Sequence, residues 1–160
     1  MQAERIITLL QEKYLKLATA ESCTGGLLAA TLTAVPGCSE CFGYGLITYS
    51  NEAKERLLKV KRYTLEAHGA VSAETAAAMA HGVAELSGAD IGLAITGIAG
   101  PDGATGEKPL GLVYVGLAMG GNEITVKQNF SGNRGEVRAQ SVKAALDLLV
   151  AQLTKLQGET

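Results

Sequence analysis

The sequence contains no tryptophan, and aromatic residues of all kinds make up only 4% of it. Nor is there an excess of positive charge: 14 Lys and Arg stand against 16 Asp and Glu, a formal net charge of −2. Without a basic stripe, and without basic residues interleaved with aromatics, no nucleic-acid surface is expected. The densest basic stretch, Lys54 to Arg62, is interrupted by Glu55 and apolar residues and reads as the surface of a helix.

Cysteine is equally sparse. Cys38-Ser-Glu-Cys41 has CxxC spacing, but no second CxxC and no nearby His pair completes a zinc set, so neither metal nor redox chemistry is expected. Reduced, half-buried thiols in a cytosolic protein fit better. Long apolar runs are missing too. The opening "MQAERIITLLQEKYLK" carries charges every few residues, unlike a signal peptide. The longest uncharged stretch, 22–39, is rich in Gly, Thr and Ser and holds Pro36, so it is no membrane span. A soluble, cytoplasmic chain is expected.

What is present is a 160-residue chain, 47% apolar and 19% charged, which suits one globular domain, residues 1–160, with its own core. Periodicity predicts a helix over 2–16 and a short strand at Leu17–Ala20. A helix over Thr24–Val35 follows, stopped by Pro36-Gly37. "FGYGLITYS" (42–50) reads as β, Ser50-Asn51 as the cap of a helix to Leu58, and Ser72 as the cap of a helix to Leu86. "ADIGLAIT" (89–96) is a buried strand and 97–109 a long glycine loop. Strands 110–119 and 123–130 meet at Gly120-Gly121-Asn122, and a last helix runs from about Arg134 to Leu156. Alternating helices and strands closed by an antiparallel hairpin predict an α/β fold, a three-layer α/β/α sandwich with a mixed β-sheet.

Four stretches hold chemistry-bearing residues. In "AESCTGGLLAATLTAVPG" (20–37), Ser22, Cys23, Thr24, Gly25 and Gly26 crowd the start of a helix, where backbone N–H groups and the helix dipole favour an anion or oxyanion. An ordinary helix cap explains them equally at this point. The pattern is not G-x-S-x-G. In "ITYSNEAK" (47–54), Tyr49 ends a strand and Lys54 follows in the first turn and a half of a helix, so both can face the carboxyl edge of the sheet beside Ser22. A buried Lys sheds its proton more easily and serves as a base, whereas a surface Lys54 has no such role. The glycines of "TGIAGPDGATGEKPLG" (96–111) suit a backbone wrapped around a phosphate or ribose, yet match neither the P-loop nor the dinucleotide fingerprint. In "FSGNRGEVR", Arg134 and Arg138 stand at i, i+4 and either clamp a phosphate or lie in solvent beside Glu136. His68 and His81 are isolated, which argues against a Cys–His nucleophile on Cys23.

Taken together, "AESCTGG", "GLITYSNEAK", "HGAVS", "ITGIAGPDG", "EKPLG" and "FSGNRGEVR" closely resemble the CinA C-terminal domain family, over about residues 5–155. The resemblance implies a nicotinamide mononucleotide (NMN) amidohydrolase of the PncC type, converting NMN to nicotinic acid mononucleotide and ammonia in NAD recycling. It implies Ser22, Tyr49 and Lys54 as the catalytic group, and Thr96 and Arg134 as ligand contacts. To these we add Thr24, Gly25, Gly26, Asn51, Gly97, Gly100 and Arg138 as substrate-binding candidates. No metal and no cofactor are expected. The expected partners are the nucleotide and further copies of the chain in a homo-oligomer. The alternatives are a non-catalytic nucleotide-binding regulatory module, suggested by the family's competence/damage-inducible label, and an amidase for another pyridine nucleotide.

Overall fold

The computed structural model describes residues 1–158. Five strands form one sheet: β1 (Leu17–Glu21), β2 (Phe42–Ile47), β3 (Ile91–Gly97), β4 (Leu112–Met119) and β5 (Asn122–Asn129). Their order is β2-β1-β3-β4-β5, with β1 parallel to β2 and β3, and with β4 antiparallel to β3 and β5. The helices are α1 (Gln2–Glu12), α2 (Leu27–Thr33), α3 (Asn51–Leu58), α4 (Arg62–His68), α5 (Ala73–Ser87) and α6 (Arg134–Gly158). Helices α1, α2 and α6 pack together on one face, while α5 covers the other with α3 and α4 against it. This is the expected three-layer sandwich with a mixed sheet.

The two faces differ in side-chain size, and the sequence of each strand sets the difference. Alternation places Leu17, Ile91, Leu93, Ile95, Val113, Val115 and Leu117 in the larger core beneath α1, α2 and α6. The opposite positions are small: Ala18, Ala20 and Ala94 join the α5 core, and Gly92 and Gly116 fall between them in register. The backbone of α5 therefore lies almost on the sheet. A Cβ on Gly92 would come 1.9 Å from the Ala80 carbonyl oxygen, and one on Gly116 would come 2.3 Å from that of Ala76. Helix α3 presses on α5 in the same way, because a Cβ on Gly82 would meet the Leu58 carbonyl at 2.0 Å. That close stacking brings α3, with Lys54, over the carboxyl ends of β1 and β2.

Several expected boundaries are corrected. Helix α2 begins at Leu27, not Thr24, because Gly25 and Gly26 take positive φ (+56° and +105°) and hold residues 22–26 in turns. Strand β2 stops at Ile47, so Tyr49 stands beyond it, and α1 stops at Glu12. Helix α4 lies where a connecting segment was expected, since it buries only Leu65 and leaves little periodic signal. Lys54 is 1% exposed, contrary to a helix-surface reading of the basic run. Among the described residues, no helix is long and apolar enough to cross a membrane.

The opening of α2 is unusual. Its N-cap position is Gly26, which offers no side chain, and the orphan donors of the first turn are met from a neighbouring strand. Glu21, 1% exposed at the end of β1, accepts from Leu28 N at 2.8 Å and Ala29 N at 3.1 Å. The carboxylate sits at the positive end of the helix dipole. Hydrogen bonds to a charged group contribute about 1.5–3 kcal/mol, so Glu21→Gln, which offers one acceptor and turns an amide towards a donor, is expected to cost about 2 kcal/mol. Urea denaturation checks this, and an unchanged midpoint contradicts it.

Candidate active site

Because Glu21 caps α2, the hydroxyls of Ser22 and Thr24 are released from that duty. This separates the two readings that the sequence left open. Ser22 follows β1 directly. Its backbone N donates to Ile95 O at 2.9 Å, and its carbonyl accepts from Gly25 N at 3.1 Å, closing a tight turn. Its side chain meets Lys54, whose Nζ stands 3.0 Å from Ser22 Oγ, 2.7 Å from Thr48 O and 3.3 Å from Tyr49 O.

The three partners of Lys54 differ in kind. The two carbonyls only accept, whereas the Ser22 hydroxyl either accepts or donates. A neutral amine has two hydrogens and one lone pair, so Thr48 O and Tyr49 O take the hydrogens and the lone pair is left facing Ser22 Oγ–H. Burial lowers the Lys54 pKa from 10.5 to about 8, with the nearby Cys23 acting in the opposite direction. A substantial neutral fraction at mildly alkaline pH follows. Among the described residues no carboxylate hydrogen-bonds this amine. Lys54 is thus arranged to take a proton from Ser22.

Cys23, adjacent to Ser22, is poorly suited to act as a nucleophile itself. Burial pushes its thiol up to about 11, so it stays protonated near neutrality. Cys38 and Cys41 are also free thiols. Among the described residues no cluster of three His, Cys, Asp or Glu stands close enough to hold a metal ion. His68 faces Glu74, and His81 lies between Glu85 and Glu123, each at 3.7 Å.

Helix α6 closes the site. Arg134 donates through Nη1 to Gly100 O at 2.8 Å and through Nη2 to the Tyr49 hydroxyl oxygen at 3.0 Å. One guanidinium therefore joins the glycine loop to the segment carrying Tyr49 and Lys54, and three of its five N–H donors meet no acceptor among the described residues. The Tyr49 ring is exposed, and its hydroxyl hydrogen-bonds Arg134 rather than Ser22 or Lys54. The α6 N-terminus is capped by its own residues, with Asn133 Oδ1 accepting from Glu136 N and Glu136 Oε1 accepting from Asn133 N. The hydrogen bonds of Arg134 and Arg138 go to Gly100, Tyr49, Cys23 and Thr24 and not to Glu136.

The remaining candidates fall into place around this centre. Arg138 gives Nε to Cys23 O (3.1 Å) and Nη2 to Thr24 O (2.9 Å), so the Nε/Nη2 edge of its guanidinium is turned onto the Ser22 turn. The Thr96 hydroxyl donates to Ala70 O at 2.7 Å, so towards a ligand it is left as an acceptor only. Thr24 is buried and its hydroxyl has no partner among the described residues. Gly25 and Gly26 shape the turn, Gly97 ends β3, and Gly100 supplies the carbonyl held by Arg134. Asn51 is exposed at the first position of α3, where Ser50 is the cap through its bond from Ala53 N at 3.0 Å. Sequence reasoning missed Glu21 and Thr48. The signal for Glu21 was an acidic residue just ahead of a helix start; Thr48 contributes only a carbonyl, which no residue type announces.

Known proteins share this architecture. The model of the CinA C-terminal domain matches residues 1–153. A protein of Caldanaerobacter subterraneus named for competence-damage induction is 55% identical over 146 residues, covering 91% of this chain and 35% of that protein. A CinA-like protein of Kosmotoga olearia is 49% identical over 96% of this chain and 37% of its own length. The chain thus spans about a third of the length of these curated relatives. Among solved structures, a CinA superfamily protein of Klebsiella pneumoniae superposes with a TM-score of 0.93 at 38% identity, covering 96% of both chains. The competence/damage inducible protein CihA of Agrobacterium tumefaciens gives 0.92 at 43% identity, covering 96% of this chain and 93% of its own. Sequence and fold agree over nearly the whole chain: it belongs to the CinA C-terminal domain family.

Proposed function

We propose that this chain is an NMN amidohydrolase that works through an acyl-enzyme on Ser22. The observation that carries the reading is the buried Lys54 amine 3.0 Å from the Ser22 hydroxyl, its other two partners being carbonyls. A serine hydroxyl is a weak nucleophile near neutral pH and needs such a base. The resemblance to NMN amidohydrolases supplies the substrate, and Arg134, beside the glycine loop with three donors that meet no acceptor among the described residues, supplies a phosphate contact.

Neutral Lys54 takes the Ser22 proton as Oγ attacks the carboxamide carbon. The oxygen that becomes negative is met by backbone N–H groups of the Ser22 turn; those of Cys23 and Thr24 donate to no protein acceptor among the described residues. Collapse of the intermediate breaks the C–N bond, and the proton held by Lys54 passes to the departing ammonia, directly or relayed through the Tyr49 hydroxyl, which leaves Lys54 neutral again. Water, deprotonated by Lys54, then attacks the ester; Lys54 returns that proton to the leaving Ser22 Oγ as nicotinic acid mononucleotide departs.

The base works only when neutral, and its pKa lies near 8. At pH 6 nearly all of it is protonated, so kcat/KM on NMN is expected to rise about tenfold per pH unit there, bend near pH 8 and flatten above. A profile flat between pH 6 and 9 contradicts the assignment. The substrate is tested by ammonia release from NMN, NAD and free nicotinamide. NMN is expected to be turned over with the highest kcat/KM. Preference for NAD or nicotinamide would overturn the substrate, and binding of NMN without release would favour a regulatory module.

A further inference from the structure

Arg138 makes the longest-range side-chain connection in the site, from α6 back to residues more than a hundred positions earlier. Nε donates to Cys23 O at 3.1 Å and Nη2 to Thr24 O at 2.9 Å, so one planar guanidinium grips two consecutive peptides of the turn that carries Ser22. Arg134, four residues earlier and one turn away, serves Gly100 and Tyr49 instead. The two arginines therefore hold different walls of the site.

The orientation has a chemical consequence. In a trans peptide the C=O and N–H point in opposite directions. The carbonyl of the Cys23–Thr24 peptide is held by Arg138, so the Thr24 N–H points away from the arginine, and it has no protein acceptor among the described residues. The next peptide is held at both ends: Thr24 O accepts from Arg138 and from Leu27 N at 3.0 Å, while Gly25 N donates to Ser22 O at 3.1 Å. The turn thus has one peptide held at both ends and two, Ser22–Cys23 and Cys23–Thr24, whose N–H meets no protein acceptor among the described residues; of these only Cys23–Thr24 has its carbonyl on Arg138. A cation on the carbonyl side also polarises that peptide and makes its N–H a stronger donor. We infer that Arg138 is a positioning residue for acyl transfer, fixing and polarising the Cys23–Thr24 peptide so that Thr24 N–H receives the oxyanion formed when Ser22 attacks.

The inference rests on Ser22 being the nucleophile, as proposed above, but not on the identity of the substrate. It is therefore tested with a small alkyl fluorophosphonate, which has neither ribose nor a nucleotide phosphate. Ser22 Oγ bonds to phosphorus, the P–F bond breaks, fluoride leaves with the electron pair, and the hydroxyl proton passes to Lys54. The phosphoryl oxygen gains charge where the oxyanion would lie. Loss of one such donor slows acyl transfer by about 10²–10³-fold. Arg138→Met is expected to slow labelling of Ser22 about 100-fold, and Arg138→Lys, which retains one carbonyl contact, by about tenfold. In both, the pH midpoint of labelling should stay near that of the wild type, because Lys54 does not touch Arg138.

Wild-type labelling rates in Arg138→Met would overturn the inference. So would a raised KM for NMN with kcat and labelling unchanged, which would make Arg138 a substrate contact. Thermal melts report whether each variant folds, and Arg138→Lys carries the test if Arg138→Met does not. Labelling of wild-type Ser22 without NMN turnover would remove the proposed substrate and leave the role of Arg138 standing. Absence of labelling in the wild type would remove both.

Discussion

Lys54→Met is expected to lower kcat/KM on NMN by about 10³-fold or more while the chain remains folded. A positioned base contributes about 10²–10⁴-fold, and among the described residues no other side chain hydrogen-bonds Ser22 Oγ. Methionine fills the same channel but accepts no proton. The fold should tolerate the change because two effects oppose each other. Thr48 O and Tyr49 O lose a donor, at about 1–3 kcal/mol for each carbonyl that stays dry. Against this, lowering the lysine pKa from 10.5 to about 8 means that burying its charge costs about 3 kcal/mol below pH 8, a cost that Met does not carry. Lys54→Arg is the sharper control. Arginine keeps the positive charge and the donors but does not lose its proton in proteins. If Lys54 acted by electrostatic attraction, Arg would retain activity; as a base, it must fail. Substantial turnover by Lys54→Arg, measured as ammonia release, would contradict the assignment.

Gly92→Ala and Gly116→Ala are each expected to destabilise the fold by about 3 kcal/mol or more, enough to leave little cooperative unfolding in the worse case. Overpacking a core costs about 1–3 kcal/mol when side chains can shift. Here the obstructing atoms are carbonyl oxygens of α5, 1.9 Å and 2.3 Å from the added carbon, and backbone does not rotate away. Moving α5 off the sheet would also loosen α3, which packs on it through Gly82 and Leu58. Loss of activity should therefore accompany loss of stability. Gly43→Ala is the control: nothing lies within 4 Å of a Cβ there, and its effect should be within about 0.5 kcal/mol. Denaturant melts of the three variants decide the matter, and equal effects at Gly43 and Gly92 would contradict this account of the helix–sheet contact.

Much of this was visible in the sequence because it is local. The hairpin followed from Gly120-Gly121, which take φ of +60° and +79°, and Ser50 and Ser72 cap α3 and α5. The alternation of large and small residues along "ADIGLAIT" was there to be read as well, although only burial was inferred from it. Chemistry was less legible. Ser22 and Lys54 were named through motifs, yet their separation of 32 positions is bridged only by the parallel pairing of β1 with β2. Residue type alone left Lys54 as readily on a helix surface. Arg138 shows the limit most clearly: an i, i+4 arginine pair suggests phosphate, whereas tertiary packing gives one arginine to the loop and Tyr49 and the other to two backbone carbonyls. Carbonyl acceptors such as Thr48 O carry no signature in a sequence at all.

The central claim is that Ser22 is a nucleophile and not a helix cap. Its most direct measurement is ammonia release from NMN by the purified wild-type chain and by Ser22→Ala, in the presence of a chelator. The expected result is steady release by the wild type, with Ser22→Ala at least about 10³-fold slower and with an unchanged melting temperature, since Glu21 rather than Ser22 caps α2. Comparable release by both proteins would contradict it and return Ser22 to a structural role.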